Sequence, residues 1–416
     1  MKESKVLEYK ETVTNTFLKT VSAFANYGTG EIKFGITDSG KSVGVKDTKA
    51  ACLDIENKIN DSISPKPGYT LSVNSLNVIT LTVYEGLNKP YLYKSKAYVR
   101  NDTSTTEVDA IELRRLLLEG QHKSFENLPA KRQNLTFDIL EQKLKEQISI
   151  DALDKNVLKT LELISDNESY NIAAEILADK NDFPGIDIIR FGDSIDIIFD
   201  REICEKVSCL AQFDTACEIY KKYYRYEKID GMLRKEQEII PEKAFREAVV
   251  NALVHRTWDV NANIRISMFK DKIEIVSPGG LPHGITKEEY LKGKLSILRN
   301  PIIGNVFFRL HLIERFGTGV RRINEAYAES ESKPVFELLN NSISVILPVF
   351  EEHIKLTGNE KTIYTYLKGN VMLSSSEIAE GCGFGKTKTV SILKELVNRG
   401  YIKSTGTGRS LKYICE

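Results

Sequence analysis

The stretch Phe245-Arg246-Glu247-Ala248-Val249-Val250-Asn251-Ala252-Leu253-Val254-His255 decides how the chain is read. Apart from Arg246, its polar residues are Glu247, Asn251 and His255, at i, i+4 and i+8. On a helix of about 3.6 residues per turn, successive members of that set are offset by only about 40°, so all three share one face. The rest of the circumference is apolar and calls for burial. The stripe therefore faces either solvent or a polar cavity. A solvated face draws on Lys, Arg and Glu more than on Asn and His, which makes this one a candidate site.

Around that helix, residues 236–350 read as one α/β unit. The helix begins after Pro241, and strands follow at 264–269 and 272–276 about the turn Lys270-Asp271. Next comes Ser277-Pro278-Gly279-Gly280-Leu281-Pro282, then Glu314-Arg315-Phe316-Gly317-Thr318-Gly319-Val320-Arg321-Arg322, then a last strand at 342–348. Glycines let backbone N–H groups approach phosphate closely, and a helix opening after them adds its positive end.

This order, a polar-striped helix followed by two glycine loops, resembles the GHKL-type ATPases (gyrase, histidine kinase and MutL relatives). It resembles more closely the divergent ATP-binding-like module similar to a RecG C-terminal segment. The resemblance implies ATP and Mg²⁺ as cofactors. It puts Glu247 in the place of the carboxylate that orients water and Asn251 in that of the magnesium holder. Gly279 and Gly280 form the first glycine loop, and Gly317, Thr318 and Gly319 cap the phosphates. The family's adenine-reading Asp falls on Ser277, whose hydroxyl can bond but carries no charge.

Toward the N-terminus, residues 1–125 read as another α/β unit. A helix over 15–26 stops at Tyr27-Gly28-Thr29-Gly30, and a strand follows over 31–37 into Asp38-Ser39-Gly40-Lys41. Strand signals return at 70–73, 78–83 and 97–100, and a helix over 107–118 closes the unit. Glu8-Tyr9-Lys10, then Ala23-Phe24-Ala25-Asn26-Tyr27-Gly28-Thr29-Gly30-Glu31-Ile32-Lys33-Phe34-Gly35-Ile36, then Gly44-Val45 and Tyr98-Val99-Arg100-Asn101 resemble the Schlafen AlbA-like domain. The resemblance implies DNA binding. Certain Schlafen members instead cut RNA with a carboxylate trio, which falls here on Glu3, Glu8 and Asp38. Clustered carboxylates can hold Mg²⁺ or Mn²⁺ and activate water. The plainer reading has Glu8 paired with Lys10 or Arg100 and Asp38 in a turn.

Residues 133–235 read as an acidic, mainly helical connecting region, with strands over 186–191 and 194–199 about Gly192-Asp193. Residues 357–416 order as a helix over 360–367, a second opening at Ser374-Ser375-Ser376-Glu377 with capping-box spacing, a third over 386–399, and strands at 401–404 and 410–414. That order resembles a winged helix-turn-helix. The resemblance implies nucleic-acid contacts from Lys386, Lys388 and Thr389 at the start of the third helix, and from Arg409 and Lys412 on the wing.

The charge is zero over 416 residues, with 58 basic and 58 acidic side chains, but it is unevenly placed. Residues 133–220 hold 8 basic and 19 acidic groups, whereas residues 355–416 hold 10 and 5. A basic tail is thus masked by an acidic middle, which could compete with DNA for the basic surfaces. No apolar run of membrane-spanning length occurs, and six cysteines without a CxxC pair suggest neither a disulfide framework nor a zinc site. The expectation is a cytoplasmic, multidomain α/β (α+β) protein ending in a winged helix-turn-helix. Its expected role is that of a DNA- or RNA-binding transcriptional regulator with a nucleotide-sensing module, a homodimer by analogy and without membrane contact. The alternatives are a Schlafen-like metal-dependent nuclease, as in phage defence, and a GHKL-type ATPase switch.

Overall fold

The structure is a computed structural model of the 416-residue chain. It describes residues 3–165, 167–230, 233–282, 284–295, 297–313, 318–350, 356, 358–368, 372–399 and 401–415, the side chains at 228, 230, 233, 235 and 409 excepted. The chain forms two compact units, Met1–Ala328 with Lys333–Val349, and Glu329–Ser332 with Phe350–Glu416. No helix among the described residues is long and apolar enough to cross a membrane.

The first sheet of the larger unit runs in the order Leu7–Lys10, Gly30–Phe34, Ile79–Val83, Tyr69–Val73. Its first pair is parallel and the others antiparallel. Strict alternation places Ile32 and Phe34, with Ile79, Leu81 and Val83 opposite, in a core completed by Phe17, Val21 and Phe24 of the helix Phe17–Tyr27. That helix ends where expected. The strand after it stops at Phe34, short of Thr37, and the helix Thr48–Ser62, whose Ile55 and Ile59 join the same core, had no counterpart in the sequence reading. The helix expected over 107–118 begins at Ala110, where Asp109 accepts from the Glu112 amide, and Glu107 instead ends a strand, Ser104–Glu107.

The second sheet has six strands in the order Ile198–Cys204, Ile186–Phe191, Ile264–Met268, Lys272–Pro278, Ser342–Pro348, Val335–Leu338. Its first two strands come from the acidic block, and Ile186–Phe191 pairs in parallel with Ile264–Met268. The sheet thus spans two segments that the sequence reading kept apart. The second of these strands starts at Ile198 instead of Ser194, and residues 225–238, mostly read as helical connection, form the antiparallel hairpin Arg225–Asp230 and Leu233–Glu238. The helix Glu242–His255 lies on the sheet with Phe245, Val249 and Leu253 fully buried. Tyr220 of the helix Cys209–Tyr224 stacks on Phe245 at 4.6 Å between ring centroids.

The smaller unit contains helices Gly358–Lys368, Ser375–Cys382 and Lys386–Asn398 and a three-stranded sheet of Leu373–Ser374, Lys412–Ile414 and Lys403–Thr405, with Lys412–Ile414 central. Ile363, Leu367, Ile378, Leu393, Leu396, Ile402 and Tyr413 form its core. The capping box at Ser374 is present: the Ser374 amide donates to Glu377 at 2.7 Å, and the Glu377 amide donates to Ser374 Oγ at 3.4 Å.

Candidate functional site

Glu247, Asn251 and His255 are the half-buried positions of an otherwise buried helix face, and Asn251 and His255 border small cavities. Asn251 Nδ2 donates to Glu247 Oε1 at 3.4 Å, and Arg322 lies 4.0 Å from the other Glu247 oxygen. The neighbour pressing on this pair is the start of the helix Gly319–Ala326. A Cβ at Gly319 would lie 2.4 Å from Asn251 Nδ2 and 2.7 Å from Glu247 Oε1, so any side chain there displaces both. His255 is walled in by Tyr290, Ile285 and Pro282, and its pKa is pushed down to about 4, first by burial and then by the Arg299 charge. At neutral pH it is an uncharged imidazole. Tyr290, pushed up to about 12 by burial, stays a neutral phenol.

The first glycine loop is committed to packing. Ser277, in the place of the adenine-reading acid, donates its only hydroxyl proton to the Ala252 carbonyl at 2.9 Å. Gly279 has φ +106°, and a Cβ there would meet Thr257 Oγ1 at 2.0 Å; its amide donates to the Asn341 carbonyl at 2.9 Å. A Cβ at Gly280 would meet the Asn340 carbonyl at 2.2 Å. Of the second loop, Thr318 and Gly319 are described and Gly317 lies outside the described residues.

The spaces beside the stripe have volumes of about 50 and 20 Å³. A water needs about 10–15 Å³ on that measure, and ligand pockets run to several hundred. Among the described residues these spaces seat a few waters; residues 314–317, which include the start of the second glycine loop, lie outside the described residues. Glu247 already faces the Arg322 cation, and no cluster of three or more His, Cys, Asp or Glu able to hold a metal occurs among the described residues.

The N-terminal carboxylates do not converge on a metal-holding group. Glu3 accepts from the Tyr9 amide at 2.8 Å. Glu8, 5% exposed, is bonded by Arg100 at 2.5 Å, by Lys10 at 2.6 Å and by the Thr20 hydroxyl at 2.5 Å. Arg100 also donates to the Ser4 and Leu7 carbonyls, so this ion pair ties the first strand to the hairpin Tyr98–Glu107. Asp38 is exposed in the turn after Phe34.

In the smaller unit Lys386, Lys388 and Lys412 are exposed, with the Lys388 ammonium 4.7 Å from the Phe384 ring centroid. Thr389 corrects the reading. It is fully buried, and its hydroxyl donates to the Gly385 carbonyl at 3.2 Å, so it cannot meet a base edge. Arg409 sits in the short turn Gly408–Ser410, and its side chain lies outside the described residues.

Two contacts within the larger unit had no signal in the local pattern. Arg115 makes a bidentate pair with Asp259, its Nε and Nη2 donating at 3.2 and 3.1 Å. Glu126, fully buried, accepts from the amides of Ile302 at 2.6 Å and Ile303 at 3.0 Å, at the start of the helix Pro301–Arg309. Burial raises its pKa to about 7 despite those bonds. Each contact joins residues more than a hundred positions apart.

No curated protein is similar enough to count as a match. The crystal structure of the DIP2311 protein from Corynebacterium diphtheriae resembles the chain in fold, with a TM-score of 0.50 and 18% identity over 99% of this chain and 92% of that one. Residues 3–109 match the family model "Schlafen, AlbA_2", and residues 261–347 match the model described as "Putative ATP-dependent DNA helicase recG C-terminal". The first match contains the sheet around Phe34, and the second supplies four of the six strands under Glu247, whose helix precedes it; the chain joins a Schlafen AlbA_2-like segment to a RecG C-terminal ATPase-like one.

Proposed function

We propose that the protein binds nucleic acid, DNA first, as a cytoplasmic transcriptional regulator and a homodimer, with the AlbA_2-like segment and the C-terminal unit making the contacts. The observation that carries this reading is the match of residues 3–109 to the Schlafen AlbA_2 family. The smaller unit adds support. Its helix Lys386–Asn398 opens without a side-chain cap, and two exposed lysines, Lys386 and Lys388, stand in its first turn. Uncapped amides and ammonium groups together suit a phosphate backbone. Lys412, exposed on the central strand, fits the wing of a winged helix-turn-helix.

In this reading the ATPase-like segment is a frame and not an ATP-hydrolysing engine. Glu247, Asn251 and Gly319 pack against one another, and Ser277 holds the helix. The metal-dependent nuclease has less support, since Glu8 is spent on Arg100 and Lys10.

The test is anisotropy of a labelled duplex titrated with the full chain at several salt concentrations. Lys386→Ala and Lys412→Ala should each weaken binding and lower the slope of log affinity against log salt by about 1. Unchanged affinity and slope in both would remove the C-terminal unit as a reader. Mn²⁺-dependent cleavage of RNA or DNA that disappears in Glu8→Ala would overturn the reading in favour of the nuclease. Phosphate release from ATP that disappears in Glu247→Ala would favour the ATPase.

A further inference from the structure

A second cavity, of about 280 Å³, opens where the helix Ala110–Gly120 and residues 123–125 face the loop that follows His255. It shares Pro282 and Ile297 with the small space beside the stripe but is not lined by Glu247, Asn251 or His255. Three carboxylates border it, and all are spent. Glu112 and Asp259 both pair with Arg115 at 3.1 Å, and Glu119 pairs with Lys89 at 2.6 Å.

The remaining cations on its wall are Arg114, Lys123 and Arg299, and none has a carboxylate within 4.0 Å among the described residues. Arg299 is half-buried. It donates through Nη1 to Thr257 Oγ1 at 2.8 Å and through Nη2 to the Gly280 carbonyl at 2.6 Å, while its Nε is buried without an acceptor. Trp258, 3% exposed, also lines the cavity, and its indole N–H has no acceptor. Arg299 is held below its ordinary pKa by burial and by the nearby Arg115 charge, with Asp259 and Glu112 offsetting only part of that, so a further anion beside it would be favoured.

The geometry points to this cavity as a binding site for a small polyanion, a phosphate monoester or a polycarboxylate. Its charged end would lie on Arg299, Arg114 and Lys123, and its body against Leu281 and Ile297. The site draws its walls from residues 112–125 and 257–300, so an occupant would add to the Arg115–Asp259 tie between them. The inference stands independently of nucleic-acid binding.

Trp258 is the single tryptophan of the chain, so its fluorescence reports on this wall. The full chain is titrated with AMP, citrate, inorganic phosphate and adenosine, with calorimetry and thermal unfolding in parallel. AMP or citrate should bind and raise Tm, adenosine should not, and phosphate alone should bind more weakly. The better of AMP and citrate names the source of the anion. Arg114→Ala, at an exposed and unpaired position, and Arg299→Lys should each weaken binding about tenfold or more, while Asn251→Ala leaves it unchanged. The proposal is overturned if neither anion gives heat or a Tm shift at millimolar concentration. It is also overturned if Asn251→Ala, and not the two arginine variants, abolishes binding, or if only an oligonucleotide perturbs Trp258.

Discussion

Glu126→Gln isolates the contribution of the buried carboxylate at the head of the helix Pro301–Arg309. The native group titrates near 7 against an ordinary 4.5, burial being the main cause and the Ile302 and Ile303 amides working against it. Between those two values the folded chain holds a proton that the unfolded chain releases, so stability falls as pH rises through the window. At about 1.4 kcal/mol per tenfold change in proton affinity, the rise from 4.5 to about 7 is worth ~3 kcal/mol. His255 works in the opposite sense. Its pKa is lowered from 6.5 to about 4, so the unfolded chain takes up the proton first and stability is gained as pH rises across that range. The two slopes nearly offset in the parent protein, and only the difference between parent and variant isolates Glu126. Urea unfolding followed by Trp258 fluorescence should show the parent losing ~3 kcal/mol relative to Glu126→Gln between about pH 4.5 and pH 7.5. Glutamine keeps one acceptor for the helix amides and has no charge to desolvate. Parallel pH profiles for the two proteins would refute the reasoning.

Arg100→Met should destabilise the larger unit by ~3 kcal/mol or more, because the buried Glu8 loses its bonded guanidinium; adding Glu8→Gln should recover part of the loss in thermal unfolding. Gly319→Ala forces a methyl group to within 2.4 Å of Asn251 and should cost about 1–3 kcal/mol, with partial rescue by Asn251→Ala. Thr389→Val should cost the smaller unit ~1 kcal/mol of stability while leaving the salt slope of duplex binding unchanged, in contrast to Lys386→Ala. Neutralising the exposed Asp193, Asp196 and Glu202 together should tighten duplex binding at low salt and have little effect at 0.15 M, where the Debye length is about 8 Å; equal affinities at low salt would dismiss the acidic block as a competitor for DNA.

What was legible in the sequence had a local cause. The helix Glu242–His255 follows from its periodicity, and so does its half-buried stripe. The Ser374 capping box follows from spacing, and the strands at 264–268, 272–278 and 342–348 from their apolar runs between turns. Thr389 was misread although its signal was present. It stands four and seven residues before Leu393 and Leu396, on the apolar face, and its polarity is absorbed by the Gly385 carbonyl one turn back. The parallel pairing of Ile186–Phe191 with Ile264–Met268 could not be read, because its register is set by burial on both segments and by no turn between them. The polyanion cavity was equally hidden, since its walls come from stretches that only the fold brings together.

The same long-range pairing changes what the acidic middle is. As sequence, residues 133–220 carry 8 basic and 19 acidic groups and read as a detachable field that could shield basic surfaces. In the fold, many of those carboxylates have cations of their own: Asp187 with Arg201, Asp200 with Lys222, Asp214 with Lys143 and Asp182 with Arg132. The block also supplies two of the six strands under Glu247 and the Tyr220 ring stacked on Phe245. Deleting it would remove the floor of the candidate site along with the charge, so a gain or loss of DNA binding after deletion would say nothing about electrostatics. The exposed carboxylates near the 191–198 turn and on the edge strand Ile198–Cys204 can instead be neutralised with the sheet kept whole.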